Sequence, residues 1–238
     1  MDIVLIGGLW LDAGAWTAVA EELELLGHRA VPVTLPGQGD ANAAATLEDQ
    51  RSAVLAAVDA AARPTMVVGH SAACTLAWIA ADARAGQVDQ VVLIGGFPSP
   101  DGELYADLFP VHDGAMAFPG WEPFEGPDSA DLDEAARRRM QDAAIPVPEA
   151  VARGTVRLGD ERRFGVPTVI VCPEFSPEQA KGWIAGGQVP ELAKAEQLSF
   201  VDIDSGHWPM TTRPVELARI LHEAALDGLP HAAADHQD

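Results

Sequence analysis

Met66-Val67-Val68-Gly69-His70-Ser71-Ala72-Ala73-Cys74-Thr75-Leu76-Ala77 reads as an apolar strand, a tight turn and an alanine-rich helix. Within it, Gly69-His70-Ser71-Ala72-Ala73 has the small-x-Ser-x-small spacing of a nucleophile elbow, with Ala73 where glycine is commoner. A serine held in a sharp strand-to-helix turn crowds the residues two before and two after it, so both must be small. Gly69 and Ala73 meet that demand. The helix that follows aims its N-terminus at the serine and leaves the backbone N–H of Ala72 free to bind an oxyanion. An ordinary helix N-cap serine would occupy the same junction. The rest of the chain decides between the two.

Outward from this stretch, strands and helices alternate. Ile3 to Ile6 is a short continuous apolar run, as a parallel strand covered on both faces should be. Gly7-Gly8-Leu9-Trp10 follows it, a loop whose backbone can approach another group closely. Trp16 to Leu26 has helical apolar spacing and Gly27 as its stop. Ala30 to Leu35 reads as the second strand. Leu47 to Ala62 is the next helix, capped by Thr46 and ended at Arg63-Pro64. The third strand, Thr65 to Gly69, feeds the elbow and a helix to about Arg84. Further strands are expected at Gln90–Ile94, Val166–Cys172 and Phe200–Ile203. A closing helix is expected at Thr212–Ala225, with Pro214 in its first turn. This order predicts an α/β fold with a doubly covered, parallel sheet.

Residues 97–165 break the alternation. They hold no clear sheet strand but carry Phe97, Phe109, Phe118, Trp121 and Phe124 among prolines and glycines, with a helix expected at Asp133–Ala144. Such an aromatic-rich insertion reads as a cap packed over the carboxyl end of the sheet. Arg137-Arg138-Arg139 within that helix reads as a solvated face balanced by nearby acids. The expected organisation is a core of residues 1–96 and 166–228, a cap of 97–165 and a polar, frayed tail of 229–238.

The chain of 238 residues is long enough for one full core. Its apolar content of 48% and charged content of 21% are those of a globular protein. A net charge of −21 argues against nucleic acid and anionic membranes as partners. Cys74 and Cys172, the only cysteines, fall on core elements, which fits a reducing compartment better than a disulfide scaffold. Met1 to Ile6 carries no basic region and runs into a strand, and no apolar run would span a bilayer. The expectation is a cytoplasmic protein, monomeric or homodimeric. No phosphate loop and no ligand spacing for a metal are evident, so no cofactor is expected.

Acyl transfer needs a nucleophile, a base, a group to orient the base and an oxyanion hole. Ser71 supplies the first. The base should follow the last strand, where the chain reads Val201-Asp202-Ile203-Asp204-Ser205-Gly206-His207-Trp208-Pro209. His207 is the one histidine of seven in a Gly-flanked loop at the carboxyl end of the sheet.

On these residues the sequence resembles the α/β-hydrolase superfamily over nearly its whole length. Gly7-Gly8-Leu9-Trp10 stands where that superfamily has its His-Gly-x-x oxyanion loop, with Gly7 in place of the histidine. The resemblance implies an α/β-hydrolase fold: a mostly parallel central sheet flanked by helices, with an inserted helical cap. It also implies an oxyanion hole made by the Leu9 and Ala72 amides, and Ser71 and His207 as nucleophile and base. Leu26-Gly27-His28-Arg29-Ala30, Phe97-Pro98-Ser99-Pro100-Asp101 and Val171-Cys172-Pro173-Glu174-Phe175 look most like the plant methylesterase and hydroxynitrile lyase group. That group's triad aspartate corresponds to Phe175 here, which cannot orient an imidazole. Glu174, one residue before, is favoured in its place. Asp101 is the alternative, Asp204 is on the wrong side of its strand, and a bare Ser-His dyad is the remaining option. A lyase of that group has lysine after the histidine. Trp208 stands there, which argues against cyanohydrin cleavage.

Leu9, Trp10, Phe97, Trp121, Phe124, Trp208 and Met210 are expected to converge over Ser71 and His207, while Trp16 and Trp78 read as core. Apolar walls suit a small to medium hydrophobic group. The expected function is a serine hydrolase cleaving a carboxylic ester, lactone or thioester, with a small-molecule ester as partner. The alternatives are a lyase or cyclase, or a ligand-binding protein, on the same fold.

Overall fold

A computed structural model describes residues 1–227; the expected polar tail of 229–238 lies outside the described residues. Six strands form one sheet: β1 (Asp2–Ile6), β2 (Arg29–Pro32), β3 (Thr65–His70), β4 (Gln90–Ile94), β7 (Thr168–Cys172) and β8 (Leu198–Asp202). Their order is β2-β1-β3-β4-β7-β8, and every pairing is parallel. The two missing numbers belong to a two-residue antiparallel ribbon, β5 (Ala115–Met116) with β6 (Val147–Pro148), in the insertion.

The continuous apolar strands are buried on both faces, so successive side chains enter different cores. Val4 and Ile6 of β1, Val67 of β3 and Leu93 of β4 join one cluster. Ile3, Leu5, Met66, Val68, Val92 and Ile94 join the other. Helices α2 (Leu47–Asp59) and α3 (Cys74–Ala83) cover the first face. Helices α1 (Thr17–Leu25) and α8 (Pro214–Asp227) cover the second. Trp16 and Trp78 are fully buried, one in each core.

Local chemistry sets the helix ends. Thr46 caps α2 in a reciprocal box with Asp49. Gly27 ends α1 at φ +86°, a left-handed conformation that glycine adopts without a Cβ penalty. The expected closing helix is α8, which starts at Pro214; a separate short helix, α7 (Pro209–Thr212), precedes it and stops at Arg213, since the ring nitrogen of Pro214 has no hydrogen to continue the ladder. β2 ends at Pro32, three residues short of the expected Leu35.

Residues 97–165 hold β5, β6, α4 (Glu134–Ala143, capped by Asp133) and α5 (Glu149–Ala152). Of the three arginines, Arg138 pairs with Glu134 in solvent, while Arg137 is half-buried, donates to Ser129 O at 2.8 Å and lies 5.6 Å over the Trp121 ring. Helix α6 (Pro177–Ala185) follows β7, with a second capping box between Ser176 and Gln179.

A buried polar network locks the end of the insertion to the core. The Arg163 guanidinium donates to Glu191 Oε2 at 2.9 Å and to Asp82 Oδ1 of α3 at 3.1 Å, and the Trp78 indole N–H donates to the same Glu191 oxygen at 3.0 Å. Arg163 and Glu191 are each 5% exposed. Removing one member of such a pair strands a buried charge and costs about 3–5 kcal/mol. Glu191→Ala is therefore expected to lower the melting temperature by about 10 °C. A calorimetric shift below about 2 °C would show that the network adds no stability.

No helix among the described residues is long and apolar enough to cross a membrane.

Candidate active site

Chain direction across the sheet reverses between β1 and β3, and the loops after these two strands flank the crevice where open parallel sheets place ligands. The loop after β1 is Gly7–Trp10. The turn after β3 carries Ser71 at φ +56°, in the left-handed region where a non-glycine residue is held only by its surroundings. Those surroundings explain the glycines. A Cβ on Gly69 would overlap the backbone carbonyl of Ala73. A Cβ on Gly8 would stand 2.9 Å from His70 Nδ1 and 3.0 Å from Ser71 Cβ, and one on Gly96 would stand 2.6 Å from Ser71 O. Backbone thus closes on the elbow from two neighbouring strand ends.

Ser71 Oγ lies 2.9 Å from His207 Nε2, and His207 Nδ1 lies 2.8 Å from Glu174 Oε1. The histidine and glutamate side chains are both largely buried. A carboxylate can only accept, so Nδ1 carries the hydrogen and Nε2 is left to accept from the serine hydroxyl. Gly95, at φ +59°, makes room for the pair: a Cβ there would lie 3.3 Å from His207 Nδ1 and 3.4 Å from Glu174 Oε2. The second carboxylate oxygen, Oε2, is buried without a partner.

Of the three acids considered, Glu174 alone touches His207. Asp101 accepts from Leu158 N at 2.9 Å inside the insertion. Asp204 uses its backbone carbonyl to accept from Arg213 Nε at 3.0 Å. Phe175 turns the other way, stacked on Phe97 at 5.5 Å and edge-on to Trp183 at 5.1 Å.

Three contacts fix the His207 loop. His207 N donates to Asp128 O at 2.7 Å, and Gly206 N donates to Asp131 Oδ2 at 2.8 Å, both acceptors belonging to the insertion. From the elbow, His70 Nε2 donates to His207 O at 2.7 Å. His70 is buried, and burial, then the neighbouring His207, pushes its pKa from the usual 6.5 down to about 3. The native ring therefore stays neutral where the unfolded ring takes a proton, and the stability this represents is present above pH 6.5 and lost as pH falls toward 3. At about 1.4 kcal/mol per unit, the loss reaches about 2 kcal/mol by pH 5. His28, whose Nε2 is 2.8 Å from His222 Nδ1, is shifted the same way by burial, by the N-terminal amine and by His222. Urea midpoints are expected to drop from pH 7 to pH 5 in the wild type and to drop less in His70→Gln. Equal slopes would refute the assignment to His70.

The cleft beside Ser71 is lined by Leu9, Trp10, His70, Leu108, Phe109, Phe124, His207 and Trp208, with about 40 Å³ of free space. Trp121 lines a second cavity next to it. Two expected wall residues are elsewhere. Phe97 packs into the Phe175–Trp183 cluster, because β4 delivers it to the far side of Gly95-Gly96. Met210 is buried in the core beneath α1 and α8, because α7 turns it inward. Leu108 and Phe109 were not expected at the cleft. Neither was Gln38, which is buried and donates from one amide nitrogen to Gly8 O at 2.9 Å and Leu11 O at 3.0 Å, holding the loop after β1. Gln50 of α2 donates to Gln38 Oε1 at 3.1 Å and fixes which way that amide faces. Among the described residues no cluster of His, Cys, Asp or Glu could hold a metal ion.

A parallel sheet, a strained serine at its carboxyl edge and a histidine-carboxylate pair in contact with that serine define an α/β protein of the hydrolase class. The sequence matches the alpha/beta hydrolase family over residues 3–220, and the chain belongs to that family. No curated protein sequence matches it. Among solved structures, it is similar to an extracellular alpha/beta-hydrolase from a Paenibacillus species described as sharing structural and functional homology with tobacco salicylic acid binding protein 2. That match has a TM-score of 0.76 and 20% identity over 94% of this chain and 98% of the other. A methylesterase from Arabidopsis matches with a TM-score of 0.71 and 15% identity over 95% and 99%. Tomato methylketone synthase I, complexed with 2-tridecanone, matches with a TM-score of 0.74 and 15% identity over 96% and 98%. At these identities the likeness is one of fold.

Proposed function

We propose that the protein is a serine hydrolase that cleaves a carboxylic ester, lactone or thioester of a small to medium hydrophobic substrate through an acyl-enzyme on Ser71. The observation that carries this reading is the unbroken relay from Ser71 Oγ to His207 Nε2 and from His207 Nδ1 to Glu174. In this reading His207 takes the hydroxyl proton as Ser71 Oγ attacks the carbonyl carbon. Glu174 stabilises the imidazolium. The Leu9 and Ala72 amides receive the oxyanion, as the approach of Gly8 to Ser71 supports. His207 then returns the proton to the leaving alcohol or thiol, and a water activated by the same nitrogen releases the acid. The cleft has about 40 Å³ free, enough to admit water, which suits the hydrolytic second step. Residues 97–165 serve as the cap. Cys74 and Cys172, both free and buried, support a reducing, cytoplasmic setting.

The test is turnover of p-nitrophenyl acetate and butyrate together with labelling by a fluorophosphonate probe and peptide mapping of the adduct. Turnover with the adduct on Ser71 is the expected result. Background turnover with no adduct would overturn the proposal.

A further inference from the structure

Trp10 has an unusual backbone for its size. Its φ of +65° lies in the left-handed region, which costs a bulky residue on the order of 1–3 kcal/mol and persists only where the surroundings impose it. The surroundings here are specific. The indole N–H donates to Met116 O of β5 at 3.1 Å, and the ring packs edge-on against Phe118 at 5.3 Å and Phe124 at 6.0 Å. So held, the side chain is 7% exposed and stands, together with Leu9 and Trp208, in the wall between two cavities. One is the cleft at Ser71. The other, with about 20 Å³ free, lies among Phe118, Trp121, Met140, Ala144 and Trp208 and touches neither Ser71 nor His207. Its wall includes Trp121, whose indole N–H is buried with no acceptor.

We propose that Trp10 is a partition that sets the size of the group accepted at Ser71. The second cavity lies directly behind that partition. With Trp10 in place, the site takes short acyl groups. With the indole withdrawn, the two cavities join, and a medium-length aliphatic chain reaches the Trp121 wall. This inference rests on the esterase reading and adds to it the residue that determines chain length.

Trp10→Gly is the informative variant, since glycine adopts φ +65° without strain while removing the partition. Trp10→Asn, the other residue type that tolerates this conformation, carries the same measurement should the glycine variant fail to fold. The measurement is the ratio of kcat/KM for p-nitrophenyl octanoate to that for the acetate, which cancels any disturbance of the neighbouring Leu9 amide. The ratio is expected to rise at least about tenfold over wild type, the discrimination attached to a single methylene in an apolar pocket. A second measurement, 1-octanol binding by calorimetry in the Ser71→Ala background with and without Trp10→Gly, needs no hydrolysis. Tighter octanol binding without Trp10 is expected there as well. If wild type turns over no ester, the esterase reading fails, and the octanol comparison still decides the partition. An unchanged ratio, or unchanged octanol affinity, would overturn it.

Discussion

Glu174→Gln is expected to lower kcat by about three to four orders of magnitude with little change in KM. The reason is tautomeric. His207 can accept the serine proton at Nε2 only while Nδ1 keeps its hydrogen, and the glutamate oxygen 2.8 Å away dictates that arrangement. A glutamine that presents its NH2 to Nδ1 forces the hydrogen onto Nε2, and the base is lost. A glutamine that presents its oxygen instead puts its NH2 in the buried position of Oε2, where no acceptor exists. Either orientation also removes the negative charge that steadies the imidazolium. Asp101→Asn is the matched control. Its carboxylate caps Leu158 N in the insertion, so kcat should stay within about twofold of wild type. Steady-state kinetics on the two variants side by side decide the matter. A Glu174→Gln enzyme within tenfold of wild type would remove Glu174 from the mechanism.

The second large effect falls on Ser71→Ala, expected to reduce ester turnover by about six orders of magnitude, to the small residual rate that binding and the oxyanion hole sustain over water. Its diagnostic value lies in combination. Groups that act as one relay are strongly non-additive, because the carboxylate has nothing to orient for once the nucleophile is gone. The double variant Ser71→Ala, Glu174→Gln should therefore be no slower than Ser71→Ala alone. A further tenfold loss in the double variant would mean that Glu174 contributes by a route that does not pass through the serine.

Much of this architecture was legible because it rests on local rules. Apolar runs of four to six residues separated by helical spacings gave the sheet and its flanking helices, and the small residues at Gly69 and Ala73 marked the elbow. The ribbon of β5 and β6 was not legible, since two-residue strands carry no periodicity. Helix α6 was, in principle: Ser176-Pro177-Glu178-Gln179 is a capping-box pattern with proline at the first helical position. The acid was the hardest residue to place. Glu174 and Phe175 are adjacent at the end of a strand, and alternation cannot say which of two neighbours turns inward once the strand has stopped. The pair Gly95-Gly96 just past the end of the adjoining strand β4 carried the missing signal, because two side-chain-free positions there admit the glutamate, the histidine and the serine backbone. Phe97 was misplaced for the same reason, lying just past those glycines. Gln38 was hidden in a loop that reads as solvent-exposed, and only the tertiary approach of α2 buries it.

The hydrogen bonds from His207 N to Asp128 O and from Gly206 N to Asp131 have a consequence for modularity. An insertion that covers an active site is commonly treated as a cassette, exchangeable between relatives to change substrate preference while the catalytic frame stays untouched. On the proposed reading, the base and the cover share a seam. Any exchange of residues 97–165 that does not return the backbone carbonyl of position 128 to the same place, with a carboxylate at position 131, also loosens the histidine. Point changes in the aromatic wall leave the seam intact, whereas an exchange of the whole insertion has to rebuild it.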